Sequence, residues 1–324
     1  MQTQWLSPTV SVVVCAYTMA RWELLGRAMG SVRSQTSPAL EILLVVDHCP
    51  ELLVRAGELG EGVRVYANVE AVGLSGARNT GVASARGEVV AFLDDDAAAA
   101  PDWLEHLVRP YRDPHVVGVG GHVVAEWEGG KPVWFPPEFN WVVGCSYVGQ
   151  PTVISEVRNP IGANMSFRRD AMVAVGGFSA GVGRVGARPM GCEETELSIR
   201  VARRDPTSLI VLEPRAVVRH HVPGDRSRWA YFLRRCWAEG LSKASVSRLT
   251  DPRAALSSER SYALRTLPRG AARGMADAVR RGESGGAGRA LAIGAGLTVT
   301  AAGYAVGRAG RAAAPDNTTT GGLA

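Results

Sequence analysis

The sequence predicts an α/β protein, with a mostly parallel central sheet flanked by helices and with basic and weakly hydrophobic helices at its C-terminal end. Three observations carry that expectation. Apolar, β-branched runs recur at 10–16, 41–46 and 89–93, bounded by glycine or polar residues. Segments of helical period lie between them. Each run is apolar at nearly every position, which belongs to strands covered on both faces, and each ends on residues able to bind a ligand.

In chain order, the strand at 10–16 is followed by a helix over 22–33, with Leu24, Leu25, Ala28, Met29 and Val32 at core spacing. The second strand, 41–46, ends on Asp47 and completes a right-handed βαβ unit. Residues 63–66 form a third short strand. Gly73-Leu74-Ser75-Gly76 leads into a helix over 75–85, and the strand at 89–93 then delivers Asp94, Asp95 and Asp96. Residues two apart on a strand share a face, so Asp94 and Asp96 point together and Asp95 away. Three adjacent carboxylates repel one another unless a cation sits among them; a solvated acidic turn is the alternative. Asp47 is placed to accept hydrogen bonds from a ribose or base, or simply to cap the turn before Pro50. Arg78 and Asn79, on the first turns of a glycine-preceded helix, favour phosphate or form a surface charge. Pro101 and Asp102 open the next helix.

Val12-Val13-Val14-Cys15-Ala16-Tyr17, Gly73-Leu74-Ser75-Gly76-Ala77-Arg78-Asn79-Thr80-Gly81 and Phe92-Leu93-Asp94-Asp95-Asp96 together resemble the nucleotide-binding half of family 2 glycosyltransferases. Those are inverting enzymes of the GT-A fold. The resemblance implies that Ala16, Tyr17, Asp47, Gly73, Arg78, Asn79, Asp94 and Asp95 bind a nucleotide-diphosphate sugar, UDP-linked. It also implies that Asp96 holds Mg2+ or Mn2+ against the diphosphate. It covers residues 8–240, and the C-terminal third only loosely.

Beyond residue 115 come a glycine-interrupted strand at 116–124 and an aromatic stretch from Trp127 to Trp141, suited to line a sugar site or to cover a sheet edge. The segment 159–169 resembles the family's acceptor region, which implies acceptor contacts from Gly162, Ala163 and Asn164, with Trp141 nearby. A glycine-rich loop (Gly181, Gly183, Gly186) has the composition of a lid before the acidic helix start Glu193-Glu194-Thr195-Glu196. Inverting transfer needs a carboxylate to take the acceptor's proton. The resemblance puts that base in the pair, at Glu194 with Glu193 as the other candidate, although acids also favour any helix N-terminus. It also implies that His220, rather than His221, completes the metal site.

Charge is divided along the chain. Residues 1–199 carry 15 Lys/Arg against 22 Asp/Glu, while residues 200–281 carry 18 against 7. A basic region of that kind faces an anionic partner or is a solvated helical face. Residues 227–245 read as a basic, aromatic amphipathic helix, 261–281 repeat the character, and 290–306 carry no charge. That last stretch is either a short membrane span or a helix packed on the domain. The five scattered cysteines argue against a zinc site or a disulfide framework and for a reducing compartment. No signal peptide is expected at Met1–Ser7.

The expected organisation is a nucleotide-sugar half (1–125), an acceptor and catalytic half (126–222), basic amphipathic helices (223–281), a weakly hydrophobic segment (282–314) and a disordered tail (315–324). The expected activity is metal-dependent, inverting transfer to a hydroxyl of a lipid-linked or polysaccharide acceptor, at the cytoplasmic face of an anionic membrane and without nucleic acid. Val46-Asp47-His48 and Gly191-Cys192-Glu193-Glu194 look closest to actinobacterial members similar to archaeal transferases that move glucuronate onto a glucosyl-lipid phosphate. A nucleotidyltransferase would share the sheet but not Ala16-Tyr17-Thr18-Met19 after the first strand. A non-catalytic nucleotide binder would leave Glu193-Glu194 without a purpose.

Overall fold

The computed structural model describes residues 7–179, 191–249 and 261–310. The glycine-rich loop from Gly181 to Gly186 and the tail 315–324 lie outside the described residues.

Among the described residues, nine strands form one sheet: β1 (Val10–Ala16), β2 (Glu41–Val46), β3 (Val63–Ala67), β4 (Val89–Asp94), β5 (Ala97–Ala99), β6 (Val116–Trp127), β7 (Ser155–Glu156), β8 (Asn164–Arg168) and β9 (Leu209–Val222). Their order is β3-β2-β1-β4-β8-β6-β9-β5, with β7 also on β9. The expected parallel pairing holds from β3 to β4. Beyond β4 the sheet turns mixed, because β8 inserts antiparallel between β4 and β6 and β5 returns antiparallel onto β9.

The reason for the unbroken apolar runs is visible in how β1 and β2 alternate. Val12, Val14, Leu44 and Val46 pack with α1 (Trp22–Arg33), α2 (Pro50–Arg55) and α4 (Trp103–Val108) on one face. Val13, Leu43 and Val45 pack on the other face with α3 (Leu74–Ser84), α5 (Arg169–Ala174) and α6 (Glu193–Arg204). Neither face meets water, so both residue sets are apolar. α3 lies unusually close to the sheet and its preceding loop: a Cβ on Gly76 would lie 2.0 Å from the Ala71 carbonyl oxygen.

A third cluster sits at the far end, where Phe135, Phe139, Val142 and Val143 meet Val123 of β6 and Val222 of β9. Phe232 and Cys236 of α7 (Trp229–Leu249), Leu267 of α8 (Leu267–Arg281) and Ala292 and Ile293 of α9 (Ser284–Ala309) close it. The charge-free stretch is therefore a long helix packed along α7. Gly240, Gly303 and Gly307 lie in the contact, where a Cβ on Gly303 would meet the Trp237 carbonyl oxygen at 2.5 Å. The aromatic stretch is divided between roles: Phe135 and Phe139 are core, and Trp134 stacks on Trp229 with ring centroids 4.3 Å apart.

Candidate active site

Parallel register brings the C-terminal ends of three strands to one edge. Ala16 pairs with Val46, so Asp47 follows directly, and Cys15 pairs with Asp94. The cleft at this edge is lined by Ala16, Tyr17, Arg21, Asp47, Gly73, the three aspartates and His220.

Asp47 organises one side of the cleft. Its Oδ1 accepts from the Asn68 amide at 2.7 Å and its Oδ2 from the Gly73 backbone N–H at 2.9 Å, which pins the loop that opens α3. β4 ends at Asp94, and Asp95 and Asp96 form the turn that follows. His220 is brought in by register, since it pairs with Ala97 of β5 and Ala125 of β6. Its Nε2 lies 3.1 Å from Asp96 Oδ1, and one atom from each of Asp94, Asp96 and His220 fall within 4.8 Å of one another. His221 instead donates its backbone N–H to the Asp96 carbonyl.

The electrostatics of this cluster follow from burial and pairing. Burial alone would raise the Asp96 carboxyl, but His220 and Arg21 hold it well below the usual carboxylate range. Burial would lower the His220 imidazole, yet the Asp96 charge prevails and holds it well above its ordinary value. Asp95 is pushed up to about 7 by burial and by the Asp96 charge, against the pull of Arg21. Its Oδ2 is buried with no hydrogen-bond partner. Two carboxylates and an imidazole with an unsatisfied oxygen beside them suit a divalent cation, with oxygen donors for Mg2+ or Mn2+ and the imidazole more at ease with Mn2+.

Arg78 occupies the centre. It is 2% exposed and runs between the rings of Phe92 and Phe178. Its Nη1 donates to Glu193 Oε1 at 3.0 Å and its Nη2 to the Gly162 carbonyl at 3.1 Å, with Asp94 Oδ1 at 3.6 Å. One guanidinium thus ties the carboxylate cluster to the start of α6. Changing Arg78 to Met leaves Glu193 buried without its cation and is expected to cost about 3–5 kcal/mol in urea unfolding. A variant as stable as the parent would mean that this ion pair does not hold α6.

Glu193 is 6% exposed, and its Oε2 has no partner. Glu194 is raised to about 8 by burial first and then by the neighbouring Glu193 charge. Glu196 is turned away into a two-point pair with Arg200.

The remaining expected contacts are placed as follows. Asn79 grips the Phe178 backbone at both N–H and C=O, so it anchors the chain at that point. Ala163 lies in the third core. Asn164 is fully buried; its amide donates to the His122 and Ala216 carbonyls and accepts from the Trp103 indole, which leaves it no group for a ligand. The Trp141 indole donates to the Tyr262 hydroxyl at 3.1 Å, three residues from Gly144, which abuts His220.

Two participants had no sequence signal. Arg21, in the turn after β1, donates to Asp95 at 2.7 Å and lies 3.1 Å from Asp96. Cys145 places its sulfur 3.7 Å from His220 Nδ1. Both sit alone in sequence, in loops whose return to the site only the tertiary path determines.

The pattern of glycosyl transferase family 2 matches residues 11–176. A glucosyl-dolichyl phosphate glucuronosyltransferase of Haloferax volcanii is 38% identical over 239 residues, covering 72% of this chain and 76% of that protein. A mannosyltransferase of Pyrobaculum calidifontis, solved in complex with GDP-Man and Mn2+, superposes with a TM-score of 0.59 at 23% identity, over 94% of this chain and 87% of that one. GalNAc-T7, solved with UDP, GalNAc and Mn2+, gives 0.53 at 18% identity, over 79% and 54%. The architecture common to these structures is the GT-A fold.

Proposed function

The chain belongs to glycosyl transferase family 2, and on that footing we propose that it is a metal-dependent, inverting glycosyltransferase. The donor is a nucleotide-diphosphate sugar, UDP-linked, and the acceptor is a hydroxyl of a lipid-linked glycan at the cytoplasmic face of a membrane. The observation that carries this reading is the buried Arg78, which pairs with Asp94 of a cluster able to hold a metal and with Glu193, beside a Glu194 carboxyl of raised pKa. Three similar proteins lend support: the Haloferax volcanii protein is named a glucosyl-dolichyl phosphate glucuronosyltransferase, and both solved neighbours hold a nucleotide with Mn2+.

Each residue has a task. Asp47 and the Gly73 turn receive the nucleoside, and Tyr17 stands at the mouth. Asp94, Asp96 and His220 would hold the metal, which would supply positive charge to offset that of the departing diphosphate. Glu194 takes the proton from the acceptor oxygen as that oxygen attacks the anomeric carbon on the face opposite the diphosphate. Arg78 fixes Glu193 and with it the first turn of α6, which aims the base beside it. The acceptor approaches from the side of Gly162, next to the start of α6.

UDP- and GDP-sugars are to be screened for hydrolysis with Mn2+, with Mg2+ and with EDTA, and then for transfer to a glucosyl polyprenyl phosphate. Metal-dependent turnover and a product of inverted anomeric configuration are expected. Full turnover in EDTA, or a retained configuration, would overturn the proposal.

A further inference from the structure

By length and composition α9 is able to cross a membrane, yet one of its faces is already taken. Gly285, Ala292, Gly296 and Gly303 are buried at helical spacing against the rest of the protein. Gly285 is packed so closely on Val133 that a Cβ would meet its carbonyl oxygen, and a Cβ on Gly296 would run into the Phe139 ring. The neighbours in these contacts, Val133, Phe139 and Trp237, belong to the folded domain, so a crossing α9 would have to give them up. The opposite face is open and uncharged: Leu291, Leu297, Ala301, Ala305 and Val306.

α8 and the turn before it (Tyr262–Thr266) repeat the pattern with charge added. Leu264, Pro268, Ala272, Met275 and Val279 are exposed at spacings of four, four, three and four, one stripe of a helix. Leu264 is 76% and Val279 79% exposed, far from what a soluble face needs. Immediately beside that stripe run Arg265, Arg269, Arg273 and Arg280, all exposed. Apolar side chains flanked by arginines are the chemistry of a helix lying in the headgroup layer, where long basic side chains reach outward to lipid phosphates.

We propose that α8 and α9 form an in-plane seat for an anionic bilayer, with α9 lying along the surface rather than crossing it. The inference rests on the membrane-associated acceptor proposed above and specifies how the enzyme meets it. Charge complementarity selects the occupant: a second copy of this chain would oppose arginines to arginines, whereas a phosphate-bearing lipid surface satisfies both stripes at once.

The test uses the full chain, sedimented with phosphatidylcholine vesicles with and without phosphatidylglycerol, at low and high salt. Binding is expected only with the anionic lipid and is expected to weaken in salt. The double variant M275E/V279E should bind at least about tenfold more weakly, and R269A and R280A roughly fivefold each. All three variants keep the parent's circular dichroism and its metal-dependent donor hydrolysis in solution. Alkaline carbonate should release the protein from membranes. Unchanged binding by these variants, retention after carbonate, self-association through this face, or equal affinity for duplex DNA would overturn the proposal. Absence of donor hydrolysis in the parent would count against the transferase reading alone, because vesicle binding is measured independently of it.

Discussion

Replacing Glu194 with Gln lowers sugar transfer by about 10²- to 10⁴-fold, the usual contribution of a positioned general base, and leaves nucleotide affinity unchanged. The pH profile gives the companion result. With Glu194 raised to about 8, roughly one molecule in ten carries the ionised base at pH 7, so kcat/KM should climb about tenfold per unit up to that value. The same carboxyl affects stability with a definite sign. Its folded pKa lies above its ordinary one, so the folded state binds the extra proton between about 4.5 and 8 and stability falls as pH rises through that window. Glu194→Gln lacks that decline, and its melting temperature should gain on the parent's as pH approaches 8. Glu193→Gln should act mainly on stability, since it breaks the pair with Arg78. If Glu193→Gln abolishes transfer in a protein of parental stability and Glu194→Gln does not, the base is Glu193.

Replacing Asp96 with Ala is the second large effect. It removes the carboxylate that faces both His220 and Arg21, and leaves Arg21 with Asp95 and His220 with Asp94. Metal-dependent donor hydrolysis and transfer should fall on the order of 10³-fold, the several kcal/mol that a bound dication contributes to diphosphate departure. Circular dichroism should stay parental, because β4 ends before this residue. Calorimetric titration with Mn2+ checks the cause: heat of binding should disappear together with activity. Parental turnover with Mn2+ would remove Asp96 from the metal site.

How much of this was legible depends on whether local pattern or tertiary path decided the matter. β1, β2 and β4 were plain because burial on both faces leaves an unbroken apolar run, and each run names its own C-terminal end. Asp94 and Asp96 were readable as a pair by spacing, and the structure brings both to His220. The antiparallel insertion of β8 was not readable: Asn164–Arg168 carries no mark of which strands it will join, and its place is decided by partners more than forty residues away in sequence. Arg78 was legible as a residue but not as a location. Its helix suggested a phosphate contact, whereas the glycine-mediated approach of α3 to the sheet sends the long side chain inward to Glu193. Asn164 misleads in a similar way, since a polar residue in a motif is as useful for closing three buried hydrogen bonds as for meeting a ligand.

The third cluster has a consequence for the order in which the protein is made. Chains emerge from the ribosome N-terminus first, and domains begin to fold as they appear. β1 to β4 need only the first hundred residues or so, so the edge carrying Asp47 and Asp94 can form early. His220 cannot be fixed then: it is held between β5 and β6 on β9, against Gly144 and Cys145, in a core that closes only when Ala292 and Ile293 arrive. The nascent chain therefore carries two of its three metal-ligand candidates through most of synthesis without the third. The core beside His220 is completed only when α9 is in place, so an unfinished chain holds the acidic edge without the packing that closes the cleft around His220.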